Sequence, residues 1–530
     1  METLPPPDLP GSLRQRSVTR LFFNWKALLI CFQLSALGSV VLGPITFEEI
    51  AGTAGVRFKS NSSPTPLKHQ PETLVGGVAA FDYDGDGYLD IYFVNGAGMP
   101  SLVKQGPQHK NRLFRNNHNL TFTDVTDKAG VGGGVLDGKK MWAVAAGWFD
   151  YDNDGRLDLF VSNYCKWEVN KDPFCGPNPQ TRAYCHPKNY APLPNTLYHN
   201  NGNGTFTDVS VSTGIAQIRG KGMGVAFADY DHDGFMDVFV ANDNAPNMLF
   251  HNLGGKTFQE VALQTGVAYP ESGAYISGMG ADFRDIDNDG WDDIWVTAFE
   301  DDTFPLFRNR GAAGDFVEIT AASGVAAVTR PMSGWSNGIM DFDNDGWKDL
   351  LAVRGHALDN IAQMSLRQPE EPNTVLRNLG NGKFQDVSAG AGAAFVQPAP
   401  HRGVAFGDLD NDGRIDAVVS VLNGKAQYFH NISQNGNHWI LLKLVGVKSN
   451  RMGLGAQVRI STDAGVQYNH ATTSTGYACS SDPRVHFGLG PSKLVKEIDI
   501  VWPSRIHQTL HNVPADRILT IKEQAGETAP

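Results

Sequence analysis

Residues 149–160 read FDYDNDGRLDLF. Asp150, Asp152, Asp154 and Asp158 put four carboxylates within nine residues, with Gly155 in the turn. Like charges this close repel one another, so the stretch calls for a positive partner. Carboxylates at loop positions 1, 3 and 5 with glycine at 6 can wrap one hard cation in oxygen. The helix–loop–helix version of such a site also needs a bidentate Glu at position 12, where this chain has Val161. The fourth carboxylate, Asp158, stands at position 9 instead. The flanks MWAVAAGWF and LDLFVSN are short and rich in aromatic and β-branched residues, which predicts strands. The stretch therefore reads as a calcium loop inside a β-hairpin. The plain alternative is an Asx/Gly turn without an ion.

The pattern recurs. Asp82, Asp84, Asp86 and Asp90 form FDYDGDGYLD. Asp229, Asp231, Asp233 and Asp237 form ADYDHDGFMD, and Asp285, Asp287, Asp289 and Asp293 form RDIDNDGWDD. Asp341, Asp343, Asp345 and Asp349 form MDFDNDGWKD, and Asp408, Asp410, Asp412 and Asp416 form GDLDNDGRID. These six loops hold twenty-four of the 56 acidic residues in a chain of net charge −12. About six bound Ca2+ ions would bring it near neutrality.

Each loop sits in a longer repeat. A glycine-rich apolar strand leads in, and a second strand follows the loop. The third strand ends alike each time: LFRN at 113–116, LYHN at 197–200, LFHN at 249–252, LFRN at 306–309, VLRN at 375–378 and YFHN at 428–431. A fourth strand such as FTDVT at 122–126 or FQDVS at 384–388 follows in five of the six. Four strands per unit repeated around a ring is an all-β propeller, here with six blades; a seventh built from less regular parts is the alternative. The last unit lacks a fourth strand, and one unpaired fourth-strand sequence, FEEIAGTAGV at 47–56, precedes the first loop. Adding it to the last unit would close the ring without a free edge.

The 530 residues also carry other signals. Arg14, Arg16 and Arg20 precede the apolar run ALLICFQLSALGSVVLG at 27–43, which predicts a signal peptide or signal-anchor over 1–43, with residues 21–43 as the anchoring span. Export suits low-affinity calcium loops. The 44 Lys and Arg residues form no basic stripe, which argues against nucleic acid. Cys165, Cys175 and Cys185 cluster in one insert, and an exported protein would form a disulfide there. Their ten-residue spacings match no zinc motif. After the propeller, assigned to 44–434, the calcium loops stop. Short alternating strands over 435–525 predict a small β-sandwich, with 526–530 as a tail.

The loops in this setting resemble FG-GAP/VCBS-type repeats. Ser449-Asn450-Arg451, Gly455-Ala456, STGYACSSDPRVHFGLG at 474–490 and VWPS at 501–504 resemble the ASPIC/UnbV domain. Together they resemble the cartilage acidic protein 1 family. That resemblance implies a secreted, calcium-binding propeller with the sandwich packed on it, and a loop around Tyr477 and Cys479 that plugs the central channel. The chain departs from the family pattern in its six repeats, where relatives often have seven, and in having no EGF-like cysteine-rich stretch after the sandwich.

Two functions fit: a non-enzymatic interaction or adhesion module for a protein or glycan partner outside the cytoplasm, or a secreted enzyme with an active site in the central channel. The residues favour the first. GWSNG at 334–338 matches a nucleophile elbow around Ser336, but it occupies a lead-in strand where that motif needs a strand–turn–helix. His356, His401 and His486 read as loop or structural histidines, and there is no phosphate loop or dinucleotide fingerprint. No catalytic residue is assigned.

Overall fold

Phe47, Glu48 and Glu49 pair antiparallel with Asn431, His430 and Phe429. The strand before the first repeat thus completes the last, as the missing fourth strand predicts. A computed structural model describes residues 44–104, 106–132 and 142–524. The expected targeting segment and the last six residues lie outside it. Among the described residues no helix is long and apolar enough to cross a membrane.

Six four-stranded antiparallel sheets follow one another as the blades of a propeller. Blade 1 is Val78–Phe81, Asp90–Phe93, Arg112–Asn116 and Phe122–Asp124. Blade 2 is Ala143–Phe149, Asp158–Asn163, Thr196–Asn200 and Phe206–Asp208. Blades 3, 4 and 5 begin at Gly222–Ala228, Ala281–Arg284 and Gly334–Met340. Blade 6 is His401–Gly407, Asp416–Val421, Gln427–Asn431 and the N-terminal Phe47–Glu49. Aromatic side chains fill the spaces between blades: Phe149 stacks on Phe227 at 4.6 Å between blades 2 and 3, and Phe342 meets Phe406 at 5.8 Å between blades 5 and 6.

The asparagine that ends each third strand fastens blade to blade. Asn252 donates to the Tyr151 carbonyl of blade 2, Asn309 to Tyr230 of blade 3 and Asn378 to Ile286 of blade 4. Asn431 reaches Phe342 of blade 5, and Asn116 reaches Leu409 of blade 6. These bonds measure 2.8–3.0 Å. Position 4 of the loops reaches the other way. Asn153, Asn288, Asn344 and Asn411 each donate to the position-6 glycine carbonyl of the next blade, and His232 stacks on Trp291 at 4.0 Å.

The boundary between blades 1 and 2 differs. Blade 1 has Gly85 at position 4, with no side chain to donate. The side-chain amide of Asn200 in blade 2 donates to the Leu157 carbonyl of its own blade and not to blade 1. Trp148, Phe206 and Val94 each remain 43% exposed. Among the described residues this is the least fastened joint of the ring.

Two further sheets follow. His438–Val445 pairs with Val485–Gly490 and Arg517–Lys522; Val466–His470, Gln457–Ser461, Leu494–Val501 and His507–Pro514 form the other. They sandwich a core that includes Ile440, Leu442, Val458, Phe487, Ile498 and Trp502. A hairpin from this sandwich, Ser474–Thr475 and Cys479–Ser480, enters the ring. Cys479 pairs in parallel with Val78 of blade 1, while Gly476 bridges Ala281 of blade 4 and Tyr477 bridges Gly224 of blade 3. The Tyr477 amide donates to Ser336 of blade 5, and Phe406 of blade 6 donates to Ser481. Tyr477 is fully buried, so the hairpin fills the axis where a channel would run.

Phe47 is buried against Phe342, Phe395 and Phe429. Phe47→Ala is expected to cost about 3–5 kcal/mol, as for other buried phenylalanine truncations. Denaturant melts of the two proteins check this; a loss under about 1 kcal/mol would show that the closing strand contributes little.

Candidate metal centres

The six aspartate loops all join the first strand of a blade to its second, and they share one internal geometry. Position 6 is left-handed in every loop, with φ between 86° and 96° from Gly87 to Gly413. Position 4 is left-handed too, at Gly85, Asn153, His232, Asn288, Asn344 and Asn411. Two such residues so close together explain why glycine and asparagine dominate these places.

The aspartates divide the work. At position 1, Asp150 Oδ1 accepts from the Asp154 amide and Oδ2 from Gly155, at 3.0 and 2.9 Å. Asp229, Asp341 and Asp408 bond in the same way, with Asp82 and Asp285 as near variants. At position 5, Asp86, Asp154, Asp233, Asp289, Asp345 and Asp412 each accept from the amide two residues on. At position 9, Asp90, Asp158, Asp237, Asp293, Asp349 and Asp416 are at most 1% exposed. One oxygen of Asp158 accepts from Tyr151 in the loop and the other from Asn200 at the end of the third strand. The other five repeat that pair of bonds.

Position 3 is left over, at Asp84, Asp152, Asp231, Asp287, Asp343 and Asp410. Asp152 and Asp231 accept only a longer bond of 3.3 Å, from the Asp154 and Asp233 amides, which already donate to position 1. The Oδ1 atoms of Asp287, Asp343 and Asp410 are buried with no hydrogen-bond partner, and Asp343 is only 2% exposed. In blades 1 and 2 one carboxylate oxygen from each of positions 1, 3 and 5 lies within 4.8 Å of the others. Orphaned carboxylate oxygens in such clusters suit a hard divalent cation. In blades 2, 3 and 6 a nitrogen of His199, His251 or His430 lies within the same 4.8 Å of the position-3 and position-9 oxygens.

Burial pushes several of these carboxyls upward, and neighbouring aspartates add to it. Asp150 and Asp158 reach about 7 and Asp229 about 8. Crowded, half-desolvated carboxylates thus resist ionising together until a cation joins them.

One neighbour was not read from the sequence as part of the site. The residue before each terminal asparagine of the third strand leans over the loop. In blades 1, 4 and 5 it is arginine: Arg115 contacts Asp84 at 2.8 Å, Arg308 contacts Asp287 at 2.7 Å and Arg377 contacts Asp343 at 2.6 Å. In blades 2, 3 and 6 it is histidine: the Nδ1 atoms of His199, His251 and His430 lie 3.2–3.3 Å from the position-9 carboxylate. The repeated ending R/H-N carried that signal. Of the histidines set aside as structural, His401 is fully buried between the Arg354 carbonyl and Gln427, His486 faces the Gly413 carbonyl, and His356 Nε2 lies 3.3 Å from Glu300. Ser336 lies inside a strand and accepts from Tyr477.

The loops are also the platform for the sandwich. A Cβ on Gly155 would meet the Lys448 carbonyl at 2.6 Å, and one on Gly413 would overlap the Trp439 ring. Gly234 faces Arg505, Gly290 faces Tyr468 and Gly346 faces Gln467. Lys348 of loop 5 donates to the carbonyls of Asp285 and Tyr468, and Arg484 donates to Asn411 and the Asp408 carbonyl. Lys443 of the sandwich reaches Asp82 of loop 1 at 3.4 Å, so all six loops lie beneath the sandwich.

The FG-GAP-like repeat model matches residues 82–161, 189–240, 229–296, 285–352 and 359–419, together more than half of the chain. The chain is an FG-GAP-repeat protein. The ASPIC and UnbV model matches residues 446–528. Cartilage acidic protein 1 of Homo sapiens is 26% identical over 455 residues, 84% of this chain and 63% of that protein. The protein of that name from Xenopus tropicalis is 26% identical over 464 residues, 86% of this chain and 65% of its own length. This FG-GAP-repeat chain thus spans just under two thirds of those relatives. A solved Agrocybe aegerita lectin, titled as recognising non-reducing terminal N-acetylglucosamine, matches at TM-score 0.34 and 17% identity over 68% of this chain and 81% of its own.

The raised carboxyls fix the sign of a pH effect. A carboxyl whose folded pKa lies above its unfolded value favours folding below the unfolded pKa and loses that contribution as pH rises through the folded one. In EGTA, stability should therefore fall between about pH 4 and pH 8. In calcium the fall should flatten, because the ion holds the ionised form, and binding near pH 7 should release protons. Calorimetry in buffers of different ionisation enthalpy reads that release; none at pH 7 would place these carboxyls at ordinary values.

Proposed function

We propose that the protein is an exported calcium-binding propeller acting as a non-enzymatic interaction module. The propeller over 44–434 carries the sandwich over 435–525. About six Ca2+ ions, one per loop, clamp the blade hairpins through the twenty-four aspartates, and in doing so hold the platform beneath the sandwich. The observation that carries this reading is the orphaned position-3 carboxylate in loops whose other aspartates are already tied to backbone amides. The ion supplies positive charge; the chain's own contribution is a turn already folded to receive it.

The partner is proposed to be a protein or glycan outside the cytoplasm. Since the sandwich lies over the six loops, its surface would be the blade rims or the opposite face. Nucleic acid fits poorly with a chain of net charge −12. Export is supported by the Cys175–Cys185 disulfide. The N-terminal segment would be cleaved or would anchor the chain to a membrane.

An enzyme acting in the central channel is the second reading. Against it, the hairpin at 474–480 occupies the axis. The two free thiols among the described residues are also unsuited to attack: burial pushes Cys479 up to about 11 and Cys165 higher still.

A site of ~10 μM affinity in ~1 mM calcium would stabilise the fold by about 2.7 kcal/mol. Metal analysis of the purified protein should find about six calcium ions, and EGTA should lower the melting temperature sharply. Asp152→Ala should lose about one ion. Few ions, or a transition metal in their place, would remove the clamp from the account.

A further inference from the structure

On the face opposite the aspartate loops lies a cavity of about 210 Å³. Its walls are the strand ends and loops of blades 3, 4 and 5: Met223, Asp243, Met279, Phe299 and Trp335. Its roof comes from two segments outside the repeat, Gln70–Leu74 and Tyr184–Pro187. The plug hairpin forms the floor, where Tyr477 meets Trp335 at 5.0 Å and donates to the Leu74 carbonyl. The exposed His186 stands at the rim.

The roof is a built feature. Cys185, in the lining, is bonded to Cys175. Asp172 holds both segments, through His69 at 2.6 Å and the Tyr190 hydroxyl at 2.7 Å. Tyr184 donates to the fully buried Glu72.

Two polar atoms in this lining lack hydrogen-bond partners. Asp243 Oδ2 accepts from the Tyr164 hydroxyl at 2.6 Å, but its Oδ1 is unpaired, and so is Gln70 Oε1. Both residues are only 6% exposed. Both free atoms are acceptors. The hydroxyls of Thr73 and Tyr184 already donate elsewhere, which leaves Ser277, beside Asp243 on the same wall. Ser277 can serve Asp243, so Gln70 Oε1 and the remaining lone pairs of Asp243 are what an occupant's donors would meet. The remaining surface is aromatic and thioether, from Phe299, Tyr184, Trp335, Met223 and Met279, which favours a cation or an apolar body over an anion.

We propose that this cavity binds a small organic ammonium ion, its N–H groups on Asp243 Oδ1 and Gln70 Oε1 and its apolar part against Phe299, Tyr184 and the methionines. Arg402 already covers Trp335 at 3.9 Å and Lys68 lies over Tyr184 at 5.5 Å, which leaves Phe299 as the ring with no cation on it. The volume would otherwise hold about seven waters at ~30 Å³ each. A hydroxylated neutral ligand could satisfy one acceptor but adds no charge beside Asp243, whose carboxylate also feels Lys221. The site lies away from the aspartate loops and does not depend on their occupancy.

The probe pair is benzylammonium and benzyl alcohol, which share size and differ in charge. The full chain is titrated with each in saturating calcium, reading saturation-transfer NMR and tryptophan fluorescence. Benzylammonium should bind at least about tenfold more tightly than the alcohol, and Asp243→Asn should abolish that preference. Ala357→Phe, which fills the cavity from a loop on its wall, should remove binding of both and leaves Asp243 and its Tyr164 bond in place. Equal binding of the two probes, or tighter binding of the alcohol, would overturn the ammonium assignment. No binding of either at millimolar concentration would mean that the cavity holds only water.

Discussion

Each blade turns on one buried carboxylate. The position-9 aspartate opens the second strand, and its two oxygens hold the loop before it and the end of the third strand after it. Asp158 joins Tyr151 to Asn200 in this way, and Asp416 joins Leu409 to Asn431. A wholly buried carboxylate is costly unless its lone pairs are used. Here the backbone uses them, so the third strand cannot leave the hairpin without stranding the charge. The same third strand carries the asparagine that reaches the neighbouring blade. Register within a blade and attachment between blades thus descend from one interaction, repeated six times.

The remaining carboxylates set how this framework responds to cations. Positions 1 and 5 fold the turn onto its own amides, and position 3 is held in reserve. The sandwich then rests on these turns; the position-6 glycines are set by their positive φ, and at Gly155 and Gly413 the Lys448 carbonyl and the Trp439 ring also come too close for a side chain. Its hairpin runs down the axis and touches the innermost strands. Loosening one loop would therefore be felt in the sandwich as well as in its own blade. Among the described residues, the boundary between blades 1 and 2 is the one where neither kind of asparagine bond is made.

Much of this was legible in the sequence. The aspartate spacing identified the hairpins, the unmatched fourth strand at 47–56 located the closure, and counting strands gave six blades. The residues beside the loops were harder. Arg115 and His199 occupy equivalent places in the repeat, but their direction depends on the twist of a strand that pairs with the second strand and not with the loop. The landing of the sandwich on the loop face was not legible, because glycine at position 6 is already required by its positive φ. The roof over 164–194 could be seen only as an insert with three cysteines. Its contacts, such as His69 with Asp172, join segments about a hundred residues apart that share no pattern. Gly85 at position 4 was the one visible mark of the weak joint, and it reads as a turn glycine until the asparagines of the other loops are seen to reach across.

The central claim is that a cation locks turns which backbone bonds have already shaped. Amide hydrogen exchange compared in calcium and in EGTA, at one pH, tests it most directly. The account predicts that Asp154, Gly155 and their counterparts exchange about a hundredfold faster without calcium, if each site contributes on the order of 2.7 kcal/mol, while the sandwich core strand His438–Val445 changes far less. Equal protection of the loop amides in both conditions would contradict it: the aspartates would then be structural acceptors alone, with no ion to hold.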